Sequence, residues 1–328
     1  MKRFKVTPVW LLFLVSFIAF APAALAKDFL KFSGGPSGGT FQYFSNGMSI
    51  YLSKELKNTK VSNQASRGSV ENIRKLNSKR ADFGIAYSGD LYLARNGKLS
   101  GDTKKYMNVR ALSFLYKAPA QLVVLANSGI KSVEDLKGKK VALGGAGSGA
   151  AASAERFFRT VGLWDKIDRQ FLGYSKAASA MKDGHVDAMW VLAGYPTRAV
   201  IELAASNKIR LLQLNDISEK KGLFKKMPFY QKLSIPAGTY EGVDYETTSF
   251  FDSALWVVNK KVKASVVEKA MTAVYAPAGL EYLISVKKTA KQMSMKGGAT
   301  GIVTPLHKGA EKFWKANKVK FANSAKAK

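Results

Sequence analysis

The chain has 328 residues, of which 52 are lysine or arginine, 23 are aspartate or glutamate and none is cysteine. The lack of cysteine excludes a disulfide framework, a thiolate metal site and a lipid anchor on a processed cysteine. The formal net charge of +29 favours anionic partners. The lysines are spread along predicted helices and become dense only in the tail at 322–328, so we expect solvated helix faces and no nucleic-acid partner.

The first 26 residues have the three parts of a secretory signal peptide. Basic residues at positions 2, 3 and 5 precede an apolar core at 9–20, and Ala24-Leu25-Ala26 forms a cleavage site. The apolar core is too short to span a bilayer, and no later segment has the roughly 20 apolar residues that a span requires. The sequence therefore predicts cleavage after Ala26 and export of the mature protein to the periplasm.

A first glycine-rich turn, within residues 29–46, joins a predicted strand to a predicted helix at 41–56. Backbone N–H groups at the start of a helix lack intrahelical partners and favour an anion. The expected ligand contacts in this turn and in the first residues of its helix are Ser37, Gly38, Gly39, Thr40 and Tyr43. Thr40 is also expected to cap the helix, and capping alone is the alternative role for this turn.

Four further candidates lie between this turn and residue 90. Arg67 and Ser69 come just before a predicted helix, and the guanidinium of Arg67 can bind a carboxylate through two parallel hydrogen bonds. Tyr87 and Ser88 follow a predicted strand at 83–86, and open α/β sheets bind ligands beyond the carboxyl ends of their strands. We expect all four residues at the ligand; the alternative for Arg67 is an ordinary surface arginine.

A second element of the same kind spans residues 136–150, with the sequence LKGKKVALGGAGSGA. It is typical of a turn, a buried strand and a glycine-rich loop that opens into a helix at 150–159. Gly147, Ser148 and Gly149 are the candidate contacts, because this helix start also favours an anion. The alternative role for Ser148 is helix capping alone. Two such turns in one chain predict a ligand held between two lobes.

Two aromatic residues, Trp190 and Tyr195, bracket the end of a predicted strand at 187–192. Aromatic walls are common in small-molecule pockets, so both residues are candidate ligand contacts. The strand is apolar throughout, and the alternative for Trp190 is a place in the core.

Short apolar runs alternate with helical patterns along the chain, which is typical of an α/β fold with parallel strands. Separate strands are predicted at 111–116 and 122–126, and the alternation restarts after Ala126. Near the C-terminus the pattern predicts a strand at 254–258 and helices that include one at 280–293.

We therefore expect an α/β protein of two lobes, each a mixed sheet flanked by helices, with the ligand in the cleft between the lobes. The first lobe is expected to comprise residues 27–125 and 251–328, and the second residues 126–250. Because the chain passes twice between lobes, we expect bending about crossings near 122–126 and 250–258.

The motifs of several enzyme classes are incomplete. Residues 145–150 match the dinucleotide fingerprint G-x-G-x-x-A, but the acidic residue expected about 20 positions later is missing. The same loop lacks the Lys-Ser/Thr pair of a Walker motif. We expect structural or surface roles for the two histidines, His185 and His307. With no nucleophile elbow and no clustered metal ligands, the sequence predicts no enzyme, no cofactor and no metal site.

The chain resembles the TAXI family of solute-binding subunits of tripartite ATP-independent periplasmic (TRAP) transporters. The matching motifs occur in the same order as in the family and extend over nearly the whole mature chain. They are GSVEN (68–72), ADFGI (81–85), LKGK (136–139), GSG (147–149), KDGHVDA (182–188), AGYP (193–196), IPAGTY (235–240) and PLHKGAE (305–311).

This resemblance implies a periplasmic-binding-protein fold of the second type in a monomer that carries a small organic anion to a membrane-embedded TRAP permease. Relatives tend to take carboxylates such as glutamate or 2-oxoglutarate. The chain departs from the commoner family pattern at residues 40–43, TFQY, where a second aromatic residue usually follows the first directly. Two other functions stay open, namely binding of an anionic polymer by the cationic surface and an exported enzyme on the same fold.

Overall fold

Ten strands form one mixed sheet in the computed structural model of the protein, which describes residues 28–99 and 101–321. The predicted signal peptide lies outside these residues. The strands are β1 (Asp28–Ser33), β2 (Thr59–Gln64), β3 (Phe83–Tyr87), β4 (Val109–Leu125), β5 (Lys140–Ala142), β6 (Asp168–Gln170), β7 (Ala188–Leu192), β8 (Ile209–Leu211), β9 (Gln231–Ile235) and β10 (Thr247–Asn259).

Helices flank this sheet, and short 3-10 helices at Glu134–Leu136 and Lys288–Gln292 join some of the elements. Among the described residues no helix combines the length and the apolar character that crossing a membrane requires. The α-helices are α1 (Thr40–Glu55), α2 (Ser69–Asn77), α3 (Ser88–Arg95), α4 (Gly149–Val161), α5 (Tyr174–Lys182), α6 (Arg198–Ala204), α7 (Asn215–Lys220), α8 (Leu223–Lys226), α9 (Ala264–Tyr275), α10 (Pro277–Val286) and α11 (Lys308–Ala316).

The strand order is β2-β1-β3-β10-β4-β7-β5-β6, with β8 on β4 and β9 on β10. Its two halves repeat one pattern. On one side β1, β2 and β3 run parallel and β10 lies antiparallel against β3. On the other side β5, β6 and β7 run parallel and β4 lies antiparallel against β7. Each half therefore joins parallel strands to one antiparallel strand from a long crossing pair.

The crossing strands β4 and β10 hold the two halves together. β4 pairs with β10 up to Pro119 and with β7 from Ala120 onward. The strands expected at 111–116 and 122–126 are therefore one strand. Pro119 has no N–H to donate, but it stands where β4 changes partners and therefore costs the ladder little.

The first residues of β10 pair with β9, and from Ala254 onward the strand pairs with β3. We propose that the lobes meet near Pro119 and Ser253, a few residues from the boundaries expected from sequence. Lobe 1 then contains β1–β3, α1–α3 and α9–α11, and lobe 2 contains β5–β9 and α4–α8. Residues 122–125 pair only with strands of lobe 2, so the crossing of β4 lies earlier than expected.

The helix expected at 280–293 is two shorter elements in the structure. α10 begins with Pro277 at its first position. A backbone N–H at this position would have no acceptor within the helix, so the lack of an N–H in proline costs no hydrogen bond. α10 ends at Val286 because Lys287 is extended, with φ −154° and ψ 117°, and the 3-10 helix follows.

An aromatic cluster fills the core of lobe 2 and ties it to the crossing strand β10. The ring of Trp190 lies 5.0 Å from that of Phe157 and 6.1 Å from that of Phe250. Its Nε1 donates a hydrogen bond of 2.8 Å to the hydroxyl of Ser153. Trp190 is fully buried, so it takes the core position that the sequence left open as the alternative to ligand contact.

Replacing Phe250 by alanine leaves a cavity inside this cluster, and we expect the free energy of unfolding to fall by about 3–5 kcal/mol. The matched control is Phe171→Ala, because the Phe171 side chain is 48% exposed; there we expect less than about 1 kcal/mol. Urea denaturation measures both values. Equal losses in the two variants would show that the cluster does not carry the stability of lobe 2.

Candidate functional site

A small pocket lies between the lobes, where β1 and β3 of lobe 1 and β5 and β7 of lobe 2 end. Each lobe supplies eight of its sixteen lining residues, so the pocket exists only while the lobes are together. Its volume is about 20 Å3, close to the space that one buried water needs. A larger molecule can enter only when the lobes move apart.

The starts of four helices line this pocket, α1 and α2 from lobe 1 and α4 and α5 from lobe 2. In α1, α2 and α5 the N-cap residue is a glycine, which has no side chain to satisfy the first N–H groups of the helix. Unpaired N–H groups carry the positive end of the helix dipole. Their convergence on one small space makes a site for a negatively charged group.

Glycines allow the two lobes to approach this closely. A Cβ on Gly149 would lie 2.6 Å from Oδ2 of Asp90 and 2.6 Å from Cβ of Ser69, both in lobe 1. A Cβ on Gly39 would lie 3.1 Å from the ring of Tyr174 in lobe 2. Gly68 is required for a different reason, because its φ of 115° is unfavourable for any residue with a side chain.

Hydroxyl groups of both lobes line the pocket beside the helix starts. The Ser148 oxygen accepts a hydrogen bond of 3.0 Å from the N–H of Ala151, so Ser148 caps α4. The Ser69 oxygen accepts one of 2.9 Å from the N–H of Tyr87. The Ser148 hydroxyl has its hydrogen available as a donor, because its bond to Ala151 uses only its oxygen, whereas the Ser69 hydroxyl also hydrogen-bonds the carboxyl group of Asp90.

Thr40 does not cap α1, although the sequence predicted that it would. The N-cap of α1 is Gly39, and no side chain caps this helix. The Thr40 hydroxyl instead donates a hydrogen bond of 3.1 Å to the carbonyl of Gly194 in lobe 2. Thr40 therefore holds the lobes together at the edge of the pocket.

Arg67 lies at the pocket with its side chain 67% exposed. Its Nη1 donates a hydrogen bond of 3.3 Å to the carbonyl of Ala146, which belongs to the glycine-rich loop of lobe 2. Its Nε is 3.9 Å from the carboxylate of Glu71. The guanidinium thus bridges the lobes at the solvent side and supplies the one charged side chain among the described pocket residues.

Two buried tyrosines meet on one carbonyl of lobe 2. The hydroxyl of Tyr87 from lobe 1 donates to the carbonyl of Leu192, and that of Tyr174 donates to the same oxygen at 2.8 Å. Burial raises the pKa of both hydroxyls well above their usual value. They stay neutral, so the pocket gains no negative charge from them.

The structure brings half of the fourteen expected contacts to the pocket, namely Gly39, Thr40, Arg67, Ser69, Tyr87, Ser148 and Gly149. Gly147 lies in the same loop next to Ser148, with φ of 72°. The pocket also contains residues that we did not single out. They include Phe41, Gly173 and Tyr174. The sequence Gly173-Tyr174 comes soon after β6 and begins α5, and its glycine could have been identified as a further helix start.

Other expected contacts lie elsewhere. Ser37, Gly38 and Tyr43 line a second interlobe cavity of about 370 Å3 beside Arg198. Ser88 is buried and donates to the carbonyl of Gly301. Trp190 is in the core of lobe 2, and Tyr195 packs against the core outside the pocket.

A charged cluster is buried behind the pocket, between the lobes and the crossing strand. Nη1 of Arg156, on α4, lies 2.9 Å from Oδ1 of Asp90, on α3. Nε of Arg156 donates to the hydroxyl of Tyr230 at 2.8 Å. Asp252, on β10, accepts a hydrogen bond of 3.1 Å from the N–H of Gly89. Nothing in the sequence pattern connects these distant residues.

The cluster has two carboxyl groups and one guanidinium, and burial makes a second negative charge expensive. Burial, and to a smaller extent the nearby charge of Asp90, raise the pKa of Asp252 to about 8, although Arg156 opposes the shift. Asp252 is therefore protonated at neutral pH, and Asp90 is the carboxylate that pairs with Arg156.

The raised pKa of Asp252 makes stability depend on pH. Between the unfolded pKa of about 4 and the folded pKa of about 8, the folded state holds a proton that the unfolded state has released. This group therefore lowers stability as the pH rises through that range. We expect Asp252→Asn, which resembles the protonated acid, to become more stable relative to wild type by up to about 1.4 kcal/mol per pH unit. Unfolding free energies measured from pH 4 to 8 test this; a difference that is constant with pH contradicts it.

Comparisons with known proteins bear on the family and the fold of the chain. The family model that matches the chain is described as the NMT1-like family and covers residues 32–317. The alkanesulfonate-binding protein SsuA from Xanthomonas axonopodis pv. citri, bound to MOPS, is 16% identical with a TM-score of 0.50, and the match covers 89% of this chain and 91% of that one. MatC from Rhodopseudomonas palustris, with bound malate, is 13% identical with a TM-score of 0.52, and the match covers 83% of this chain and 89% of that one. These likenesses show the fold, and the predicted periplasmic-binding-protein fold of mixed sheet and flanking helices is confirmed.

Proposed function

The chain belongs to the NMT1-like family, and from that premise we propose that it is an exported, monomeric solute-binding protein that holds a small carboxylate between its lobes. The solute resembles glutamate or 2-oxoglutarate. The protein delivers it in the periplasm to a TRAP-type permease, as a member of the TAXI family. No chemical step is part of this function.

The convergence of four helix starts on the pocket is the observation that carries the proposal. N–H groups at these positions bind an anion without a buried countercharge, and no aspartate, glutamate or lysine is among the described residues that line the pocket. Arg67 adds a donor at the mouth. A carboxylate suits this arrangement because it accepts several hydrogen bonds within a small volume. MatC, which shares the fold, is a protein with bound malate.

The small pocket volume supports capture by hinge bending. The two crossing strands restrict relative motion of the lobes to bending near Pro119 and Ser253. A solute binds while the lobes are apart, and the lobes then close around it to leave a larger space than the water-sized pocket of this structure. An anionic polymer cannot occupy this pocket, because both lobes surround it.

The solute can be identified directly. We expect small molecules released by denaturing the purified periplasmic protein to include a carboxylate, detected by mass spectrometry. Calorimetry with L-glutamate, 2-oxoglutarate and malate then ranks the candidates. Recovery of a cation or a neutral sugar as the stoichiometric ligand would refute the carboxylate assignment.

Gly149 tests whether closure of the lobes is needed for binding. The Cβ of Gly149→Ala would overlap Asp90 and Ser69 of lobe 1, so closure is blocked while each lobe keeps its own core. We expect the affinity for the recovered solute to fall at least about tenfold, with little change in the unfolding temperature.

The matched control is Gly297→Ala, which lies outside the pocket; its added Cβ would lie 3.0 Å from the hydroxyl of Ser294 and no closer than 3.9 Å to any other neighbour. Calorimetry and thermal unfolding are measured on both variants. Unchanged affinity in Gly149→Ala would mean that the solute is bound without closure.

Ser148 separates ligand contact from helix capping. Loss of the cap in Ser148→Ala lowers the unfolding free energy by about 1 kcal/mol. If its hydroxyl also donates to the bound carboxylate, the affinity falls by about 1.5–3 kcal/mol, or roughly ten- to a hundredfold. We expect both effects. Lower stability with intact affinity would assign Ser148 to capping alone.

A further inference from the structure

The positive charge of the protein is concentrated on lobe 1. Residues 28–119 and 254–321 contain 28 basic and 9 acidic residues, whereas residues 120–253 contain 18 basic and 14 acidic residues. The segment 254–321 alone has 13 lysines, no arginine and 3 acidic residues. The lysines that are spread along the predicted helices are therefore divided unevenly between the lobes.

Many of these lysines gather at the end of lobe 1 where β4 begins and β10 ends. The N–H of Lys260, just after β10, donates to the carbonyl of Asn108, just before β4, at 2.7 Å. The N–H of His307 donates to the carbonyl of Ala111 at 3.0 Å, which places the start of α11 at the same end. The lysine end, as we name this surface, comprises the exposed residues Lys104, Lys105, Lys260, Lys261, Lys263 and Lys308.

The surface continues along α11 and includes apolar side chains. Lys308, Lys312 and Lys315 are exposed at spacings of four and three residues, so they form one stripe on this helix. Met107 and Val303 are 45% and 43% exposed. Both lie at the lysine end, because Met107 precedes β4 and the segment after Val303 pairs in parallel with Ala111. Exposed lysines around small apolar side chains suit the boundary between lipid headgroups and acyl chains.

The lysine end is far from the pocket. From Val109 to Pro119, β4 rises by about 33 Å at about 3.3 Å per residue, and the lobes meet at Pro119. A partner at the lysine end therefore leaves the cleft open to solvent and free to bend.

We propose that lobe 1 docks through its lysine end on the anionic phospholipid surface of a membrane. The residue type favours this partner over an acidic protein. Arginine forms paired, directional bonds with individual carboxylates, whereas lysine is a compact point charge that suits diffuse charge. Every basic residue in 254–321 is a lysine. Each lysine near an anionic bilayer strengthens binding about fivefold, or about 1 kcal/mol. This docking does not depend on which solute the cleft binds.

The test compares two quadruple variants of equal net charge on the full mature chain. One is Lys260→Gln, Lys261→Gln, Lys308→Gln and Lys312→Gln at the lysine end. The control is Lys220→Gln, Lys221→Gln, Lys225→Gln and Lys226→Gln in lobe 2, where all four side chains are also exposed. Binding is measured by sedimentation with vesicles of phosphatidylglycerol and phosphatidylcholine in equal parts.

We expect the wild type to bind these vesicles, to be released by added salt and not to bind vesicles of phosphatidylcholine alone. The affinity of the lysine-end variant for the vesicles should fall by more than about a hundredfold. The affinity of the control variant should fall by less than about fivefold. Absence of wild-type binding, or equal losses in the two variants, overturns the proposal. Circular dichroism confirms that both variants are folded.

Discussion

The site depends on one constraint of the backbone: the first N–H groups of a helix have no partner inside that helix. Four helices of this protein begin at one point between two lobes, and three of them have glycine as the N-cap residue. Their unpaired N–H groups favour a negative charge there. The parallel strands produce this convergence, because the helix after each strand starts at its carboxyl end. The crossing strands β4 and β10 bring the two sets of helix starts face to face.

Closure joins this anion site to a buried charged cluster. Gly149 lies at the start of α4 against Asp90, and Arg156 of the same helix pairs with Asp90 two turns further along. A buried ion pair adds little stability as such, but loss of one partner leaves a charge without compensation and costs about 3–5 kcal/mol. The pair therefore favours the alignment of α3 and α4 in which the pocket is complete.

Local patterns predicted the fold class and the two glycine-rich helix starts, because strand and helix periodicity and glycine-rich turns are properties of short segments. Features that depend on distant segments could not be found this way. Asp90 and Arg156 are 66 positions apart, and Tyr43 and Ser37 face a second cavity because of how α6 packs. Trp190 lies in the core and not in the pocket wall. The sequence could not distinguish these positions, because an apolar strand is compatible with both. The Thr40 hydroxyl bonds to Gly194, which lies 154 positions further along the chain, instead of capping its own helix.

The proposed function requires the lobes to close around an anion. The chain has no cysteine, so Ile50→Cys on α1 and Lys176→Cys on α5 place two spin labels at unique exposed positions, one on each lobe. Pulsed electron paramagnetic resonance then measures the distance between them with and without the anion recovered from the protein. At a saturating concentration of the anion we expect a shorter mean distance and a narrower distance distribution. The same distribution in both samples, while calorimetry shows binding, would contradict the account.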